Sequence, residues 1–124
     1  MTVYIVSDHK VLDFETNSYV SKYDYTPAEK FGELEFLLSP TANPFKNMDV
    51  IIQELHSKLQ NSTMDDYLIL AGNPVLMSTA AAIMASYNEG WVNLLQWNGY
   101  KKEYNPLTFQ INSSKRWEIP ILKK

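Results

Sequence analysis

At 124 residues the chain has the length of one domain, able to bury roughly two thirds of its unfolded surface. Hydrophobic types at 45% and charged types at 20% exclude global disorder. The absence of cysteine excludes a disulfide scaffold and cysteine-ligated zinc, and a formal net charge of −3 excludes a global attraction to nucleic acid or anionic lipid.

Residues 1–7 are too short for a signal-peptide core and carry no basic flank. No run approaches the ~20 apolar residues of a membrane span, so the expectation is a cytoplasmic protein without membrane contact. Residues 3–6 are rich in β-branched types and predict a buried opening strand. Residues 10–25 are mixed and polar and read as a long loop or irregular hairpin. Thr26-Pro27-Ala28-Glu29 has the order of a helix start, with Thr26 as cap, Pro27 first in the helix and Glu29 closing a capping box. Gly32 limits that element to a short turn. Residues 34–38 predict a second strand.

A punctuated loop at 39–44 follows. Met48, Ile51, Ile52, Leu55 and Leu59 then recur at helical spacing and predict an amphipathic helix over 47–60. Asp49 and Glu54 sit toward its start and Lys58 toward its end, as the helix dipole prefers. The unbroken apolar run at 67–71 predicts a central strand covered on both faces. Asn73 as N-cap and Pro74 as first helical residue open a second helix, over 74–88. It is apolar nearly all round, so it should be mostly buried, and Gly90 is its stop. Residues 91–97 alternate as a strand, Asn98-Gly99 is a turn signal, and 104–111 return as an edge strand marked by Pro106.

This order predicts an α/β fold: a small, mostly parallel sheet of four to five strands, two main helices and an antiparallel C-terminal edge hairpin. Residues 1–112 form one domain and 113–124 a basic-aromatic tail. If the crossovers step in one direction, both helices land on one face of the sheet. The other face then needs a cover, either the segment 10–25 or a second copy of the chain. Alternatively the first strand lies centrally and the crossovers reverse. An apolar face without its own cover favours a homodimer, because closed two-fold pairs are the commonest assembly.

Met64-Asp65-Asp66-Tyr67-Leu68-Ile69-Leu70-Ala71-Gly72-Asn73-Pro74 resembles a group of short proteins encoded by tailed bacteriophages. These carry an aspartate-rich start, a Tyr-Leu-Leu-Leu strand and a Gly-Asp-Pro or Gly-Asn-Pro turn. The resemblance takes in Phe31-Gly32-Glu33-Leu34-Glu35-Phe36-Leu37-Leu38, Leu94-Leu95-Gln96-Trp97, Tyr104 and Pro106, and spans residues 28–108. The segment 8–25 and the tail depart from the pattern. The motifs are structural, so the resemblance implies a phage origin, a shared fold and a location in the infected host's cytoplasm, and leaves mechanism open.

Ligands of open α/β sheets gather beyond the carboxyl ends of the strands. Asp8 and His9 end the first strand, Gly72 and Asn73 end the central one, and Trp97 and Asn98 end the next. The helix start at Asn73 suits a phosphate or carboxylate, and Trp97 suits stacking on a base. The simpler reading makes Asn73 a cap and Trp97 hairpin packing. Asp8 and His9 form an acid–base pair only if a turn begins there, because neighbours on a strand face opposite ways. His56 sits on the amphipathic helix at its surface. No histidine pair has metal-ligand spacing, Asp65-Asp66 lacks the third acid that a hard cation needs and reads as a charged loop, and no catalytic set or cofactor motif is present.

The tail holds Lys115, Arg116, Lys123 and Lys124 against the single acid Glu118, with Trp117, Ile119, Ile121 and Leu122 as an apolar element and Pro120 preventing a helix. Such a segment suits docking on a partner, by strand addition for example, or on the chain's own acidic body. The leading expectation is a non-enzymatic accessory protein that binds a host or phage protein as a homodimer. The alternatives are a nucleotide- or phosphate-binding module, with enzymatic action open, at the strand ends, and nucleic-acid binding through the tail.

Overall fold

The computed structural model describes residues 1–111. The tail residues Lys115, Arg116, Trp117, Ile119, Ile121 and Leu122 lie outside the described residues. In chain order the elements are β1 (Thr2–Ser7), β2 (Lys10–Asp13), β3 (Ser18–Ser21), a 3-10 turn (Thr26–Phe31), β4 (Glu33–Leu38), α1 (Pro44–Leu59), β5 (Tyr67–Ile69), α2 (Pro74–Tyr87), β6 (Trp91–Asn98) and β7 (Glu103–Gln110).

Five strands form one sheet in the order β4-β1-β5-β6-β7. The first four are parallel, and β7 pairs antiparallel with β6, from Trp91 opposite Gln110 to Asn98 opposite Glu103. β1 therefore lies inside the sheet, the first crossover steps to one side of it and the second back across it. That is the reversing arrangement among the two that the element order allows.

The strict alternation of β1 shows how both faces are kept dry. Tyr4 and Val6 join one core with Leu37, Leu68, Ile51, Leu55 and Leu59 of α1 and Leu76, Ala80 and Met84 of α2. Val3 and Ile5 join a second core on the opposite face with Ile69, Ala71, Leu95, Tyr104, Tyr25 and Ala28, against which Phe31, Leu34 and Tyr67 pack. Both helices therefore serve one face. The other is covered from within the chain, by Tyr25 at the end of the 10–25 segment and by the 3-10 turn that follows it, which the element order did not include as a cover. The reasoning that called for a second copy to cover this face no longer applies.

Several local expectations change. Thr26 is not a cap with a side-chain bond: Tyr25 holds that position, and the Asp24 carboxylate accepts from the Thr26 N–H at 3.0 Å. α1 begins at Pro44, with the Asn43 side chain accepting from the Phe45 N–H at 2.9 Å. A non-helical residue, Asn47 (φ −132°, ψ 36°), separates that first turn from the amphipathic stretch. β5 stops at Ile69, short of Ala71, and Leu70 is partly exposed. α2 buries Leu76, Ala80, Ile83, Met84 and Ala85 but leaves Val75 open, so it is a one-sided helix despite its composition. Asn98-Gly99 does not make a two-residue turn. The Asn98 carboxamide accepts from the N–H groups of Tyr100 and Lys101, and Lys102 (φ 54°) takes the left-handed position. Asp66 is buried rather than solvated: its carboxylate accepts from the N–H of Thr2 and of Thr63, each at 2.8 Å, tying the start of β1 to the loop before β5.

Residues 10–21 form a regular two-stranded ribbon that stands apart from the main sheet, and residues 22–25 lead from it to the 3-10 turn. Lys10, Val11, Leu12 and Asp13 face Ser21, Val20, Tyr19 and Ser18. The turn is held by Asp13, which accepts from the Glu15 N–H and the Thr16 hydroxyl, and by Asn17 at φ 55°. No helix of the described residues is long and apolar enough to cross a membrane.

Candidate functional site

The parallel strands place their carboxyl ends along one edge of the sheet, and the chain leaves that edge in three ways. From β1 it runs through Ser7, Asp8 and His9 into the ribbon. From β5 it turns through Gly72 into α2. From β6 it reaches Trp97 and the turn to β7. Gly72 has φ +101°, and a Cβ there would lie 2.9 Å from the Ser7 Cβ. Glycine is thus required both for the turn and for the close approach of the β5 exit to the end of β1.

Two clefts adjoin along this edge. One, about 570 Å³, is walled by aromatic and apolar side chains: Tyr23, Tyr25, Trp97, Tyr104, Leu70 and Leu95 are among them. The other, about 740 Å³, lies between Ser7, Asp8, Lys10 and Tyr19 on one side and Thr41, Asn73 and Leu76 on the other. His9 and Gly72 line both. The ribbon supplies walls to each, through Lys10 and Tyr19 and through the residues that leave β3.

Of the strand-end residues singled out by the sequence, Asp8, His9, Gly72 and Asn73 meet around the second cleft, and Trp97 lies with His9 and Gly72 on the first. Asn98 lines neither and serves its turn. Asp8 and His9 do not form an acid–base pair. The Asp8 carboxylate is buried and points to the base of the ribbon, where one oxygen accepts from the Ser21 hydroxyl at 2.5 Å and pairs with Lys10 at 3.2 Å. The exposed His9 ring instead meets Tyr23 edge-on, with centroids 6.1 Å apart. Asn73 spends its side chain on capping: it accepts from the Val75 N–H at 2.8 Å. His56 lies away from this edge, its Nδ1 2.7 Å from the Tyr87 hydroxyl.

Sequence reasoning missed Tyr23, Tyr25 and Tyr104. Tyr25 is deeply buried and meets Phe36 edge-on at 5.8 Å, while Tyr104 packs against Trp97 at 5.0 Å. Burial pushes the Tyr25 phenol up to about 12, and the Asp8 carboxylate adds to the effect. Burial, then Asp24, raises Tyr104 as well. The spacing of Tyr19, Tyr23 and Tyr25 just after the strand-end residues was the available signal.

Among the described residues no group of three or more His, Cys, Asp or Glu side chains is placed to hold a metal ion. The arrangement offers aromatic surface, a neutral phenol and a buried carboxylate, which is the equipment for recognition. Comparison with curated proteins finds no match, and comparison with solved structures finds none. A family model does match, over residues 1–111, which is the whole described fold. The chain belongs to the Phage Pam3 gp32-like protein family.

Proposed function

We propose that this phage protein is a non-enzymatic accessory factor that acts by binding a protein partner, with the β2–β3 ribbon as its docking arm. The observation that carries the reading is the arm's surface. Val11 faces Val20 on one side, Leu12 faces Tyr19 on the other, and all four are exposed. Phe14 in its turn is 88% exposed. A two-stranded ribbon is marginal by itself in water and gains most by adding a strand or burying a face.

The main sheet's edges contrast with the arm's. On β4, Lys58 of α1 donates to the carbonyls of Leu37 and Phe36, and exposed Glu33 and Glu35 put charge on the strand. On β7, Pro106 removes one donor from the ladder. These are devices against unwanted pairing, whereas the arm's strands have charge only at the two ends of β2, and both groups are engaged, Lys10 with Asp8 and Asp13 with its turn. In isolation the same surface makes a second copy of the chain the default occupant, so the purified protein is a homodimer through its arms. A host or phage protein displaces that contact.

Sedimentation equilibrium tests this. The wild type is expected at twice the chain mass, and Phe14→Ser together with Val20→Ser is expected at the chain mass with an unchanged circular dichroism spectrum. A dimer that survives both substitutions removes the arm from the account.

A further inference from the structure

Among the described residues two buried polar atoms have no hydrogen-bond partner: Oδ1 of Asp8 and the hydroxyl of Tyr25. Their residues are 8% and 6% exposed. An unpaired group in a dry site destabilises the protein that carries it, and each could be replaced by an isosteric side chain without one. The two groups lie on adjoining clefts. Asp8 lines the larger cleft, Tyr25 the aromatic one, and His9 stands between the clefts. The Asp8 charge and the His9 backbone N–H both act on the Tyr25 phenol, though neither bonds to it in hydrogen-bond geometry.

One group is an acceptor and the other a neutral donor. Trp97, 44% exposed, offers ring surface to the cleft that Tyr25 lines. We propose that the junction of the clefts binds an amino-substituted heteroaromatic ring, the chemistry of a nucleobase. A ligand N–H donates to Asp8, a ring nitrogen or carbonyl accepts from Tyr25, and the ring plane lies against Trp97. The exposed His9 and Tyr23 rings line the aromatic cleft, and no side-chain hydrogen bond holds either among the described residues, so they give way to a ligand. The geometry disfavours the phosphate that the strand-end rule brings to mind. Pro74 has no N–H, the Val75 N–H is taken by Asn73, and the Asp8 carboxylate repels an anion. A cleft of about 570 Å³ accommodates a base with its sugar.

Of the arm's exposed apolar residues only Tyr19 lines either cleft, and Phe14 and Val20 line neither, so substitutions at those two let the readings fail separately. The test is calorimetric titration and thermal shift of the whole chain with adenine, adenosine, cytosine, cytidine, guanosine, adenosine monophosphate and inorganic phosphate. At least one amino-bearing base or nucleoside is expected to bind and to raise the melting temperature, with its monophosphate binding no more tightly and phosphate alone producing no shift. Trp97→Ala, at a partly exposed position, is expected to weaken that binding about tenfold, the scale of one base–aromatic stack. Tyr25→Phe is expected to lose binding while the empty protein melts no lower than the wild type, an outcome that a purely structural tyrosine would not give. Phe14→Ser is expected to leave binding unchanged. Absence of binding by every base and nucleoside, a shift with phosphate alone, or full affinity in both Trp97→Ala and Tyr25→Phe would overturn the proposal.

Discussion

The Tyr25 hydroxyl is buried, unpaired and close to the Asp8 carboxylate, and together these fix how the protein responds to base. An unfolded tyrosine loses its proton near 10, whereas Tyr25 in the folded chain holds it to about 12. The unfolded state therefore gives up its proton first. The contribution of Tyr25 is fully present below pH 10 and is lost between 10 and about 12, on the order of 2 kcal/mol. Tyr4 and Tyr104 shift the same way, each through burial first, so the loss is shared. Urea denaturation at several pH values across that window should show a shallower fall for Tyr25→Phe than for the wild type. Gly72 gives a second residue-scale prediction. An L side chain at φ +101° with its Cβ 2.9 Å from the Ser7 Cβ is strained twice, so Gly72→Ala should cost about 1–3 kcal/mol in the same assay. Gly72 was legible in the sequence as the end of a strand. Its tight approach to β1 was not, because nothing in a local pattern says which strand lies alongside.

At the scale of elements, the two cores and the arm respond differently to substitution. Leu55 on α1 is wholly buried between helix and sheet, and Leu55→Ala should lower unfolding stability by about 2–5 kcal/mol. Phe14→Ser on the arm, compared at a protein concentration low enough to leave both proteins monomeric, should change it by less than about 0.5 kcal/mol, the range of exposed sites. Thermal or denaturant unfolding of the pair checks both. The contrast also explains what could be read in advance. Ile51, Leu55 and Leu59 announce α1 because their spacing matches a helix with one dry face, and the unbroken run at β5 announces a strand with two. The arm gives no such signal: Val11, Leu12, Tyr19 and Val20 put apolar groups on both faces of a ribbon that is wet on both. The 3-10 turn hides for the opposite reason. It covers a sheet face with one small buried side chain, Ala28, and Phe31 beside it, too few residues for any periodicity.

At the scale of the whole described fold, α1 and α2 dry one face of the sheet, and Tyr25 with the 3-10 turn dries the other. Among the described residues the two unpaired buried polar atoms lie at the carboxyl edge, beside the arm and the adjoining clefts. The strand-end rule led to this edge through Asp8, His9, Gly72 and Trp97, but the side chains that give the clefts their character, Tyr23, Tyr25 and Tyr104, come from segments that only the folded topology brings there. The arm is the claim on which the proposed role depends. Its most direct measurement places a photo-reactive phenylalanine analogue at position 14, and as a control at exposed position 102, in the infected host. The account predicts a discrete protein adduct at position 14, of a second copy or of one partner, and none at position 102. Equal labelling at the two positions, or none at position 14, would contradict it.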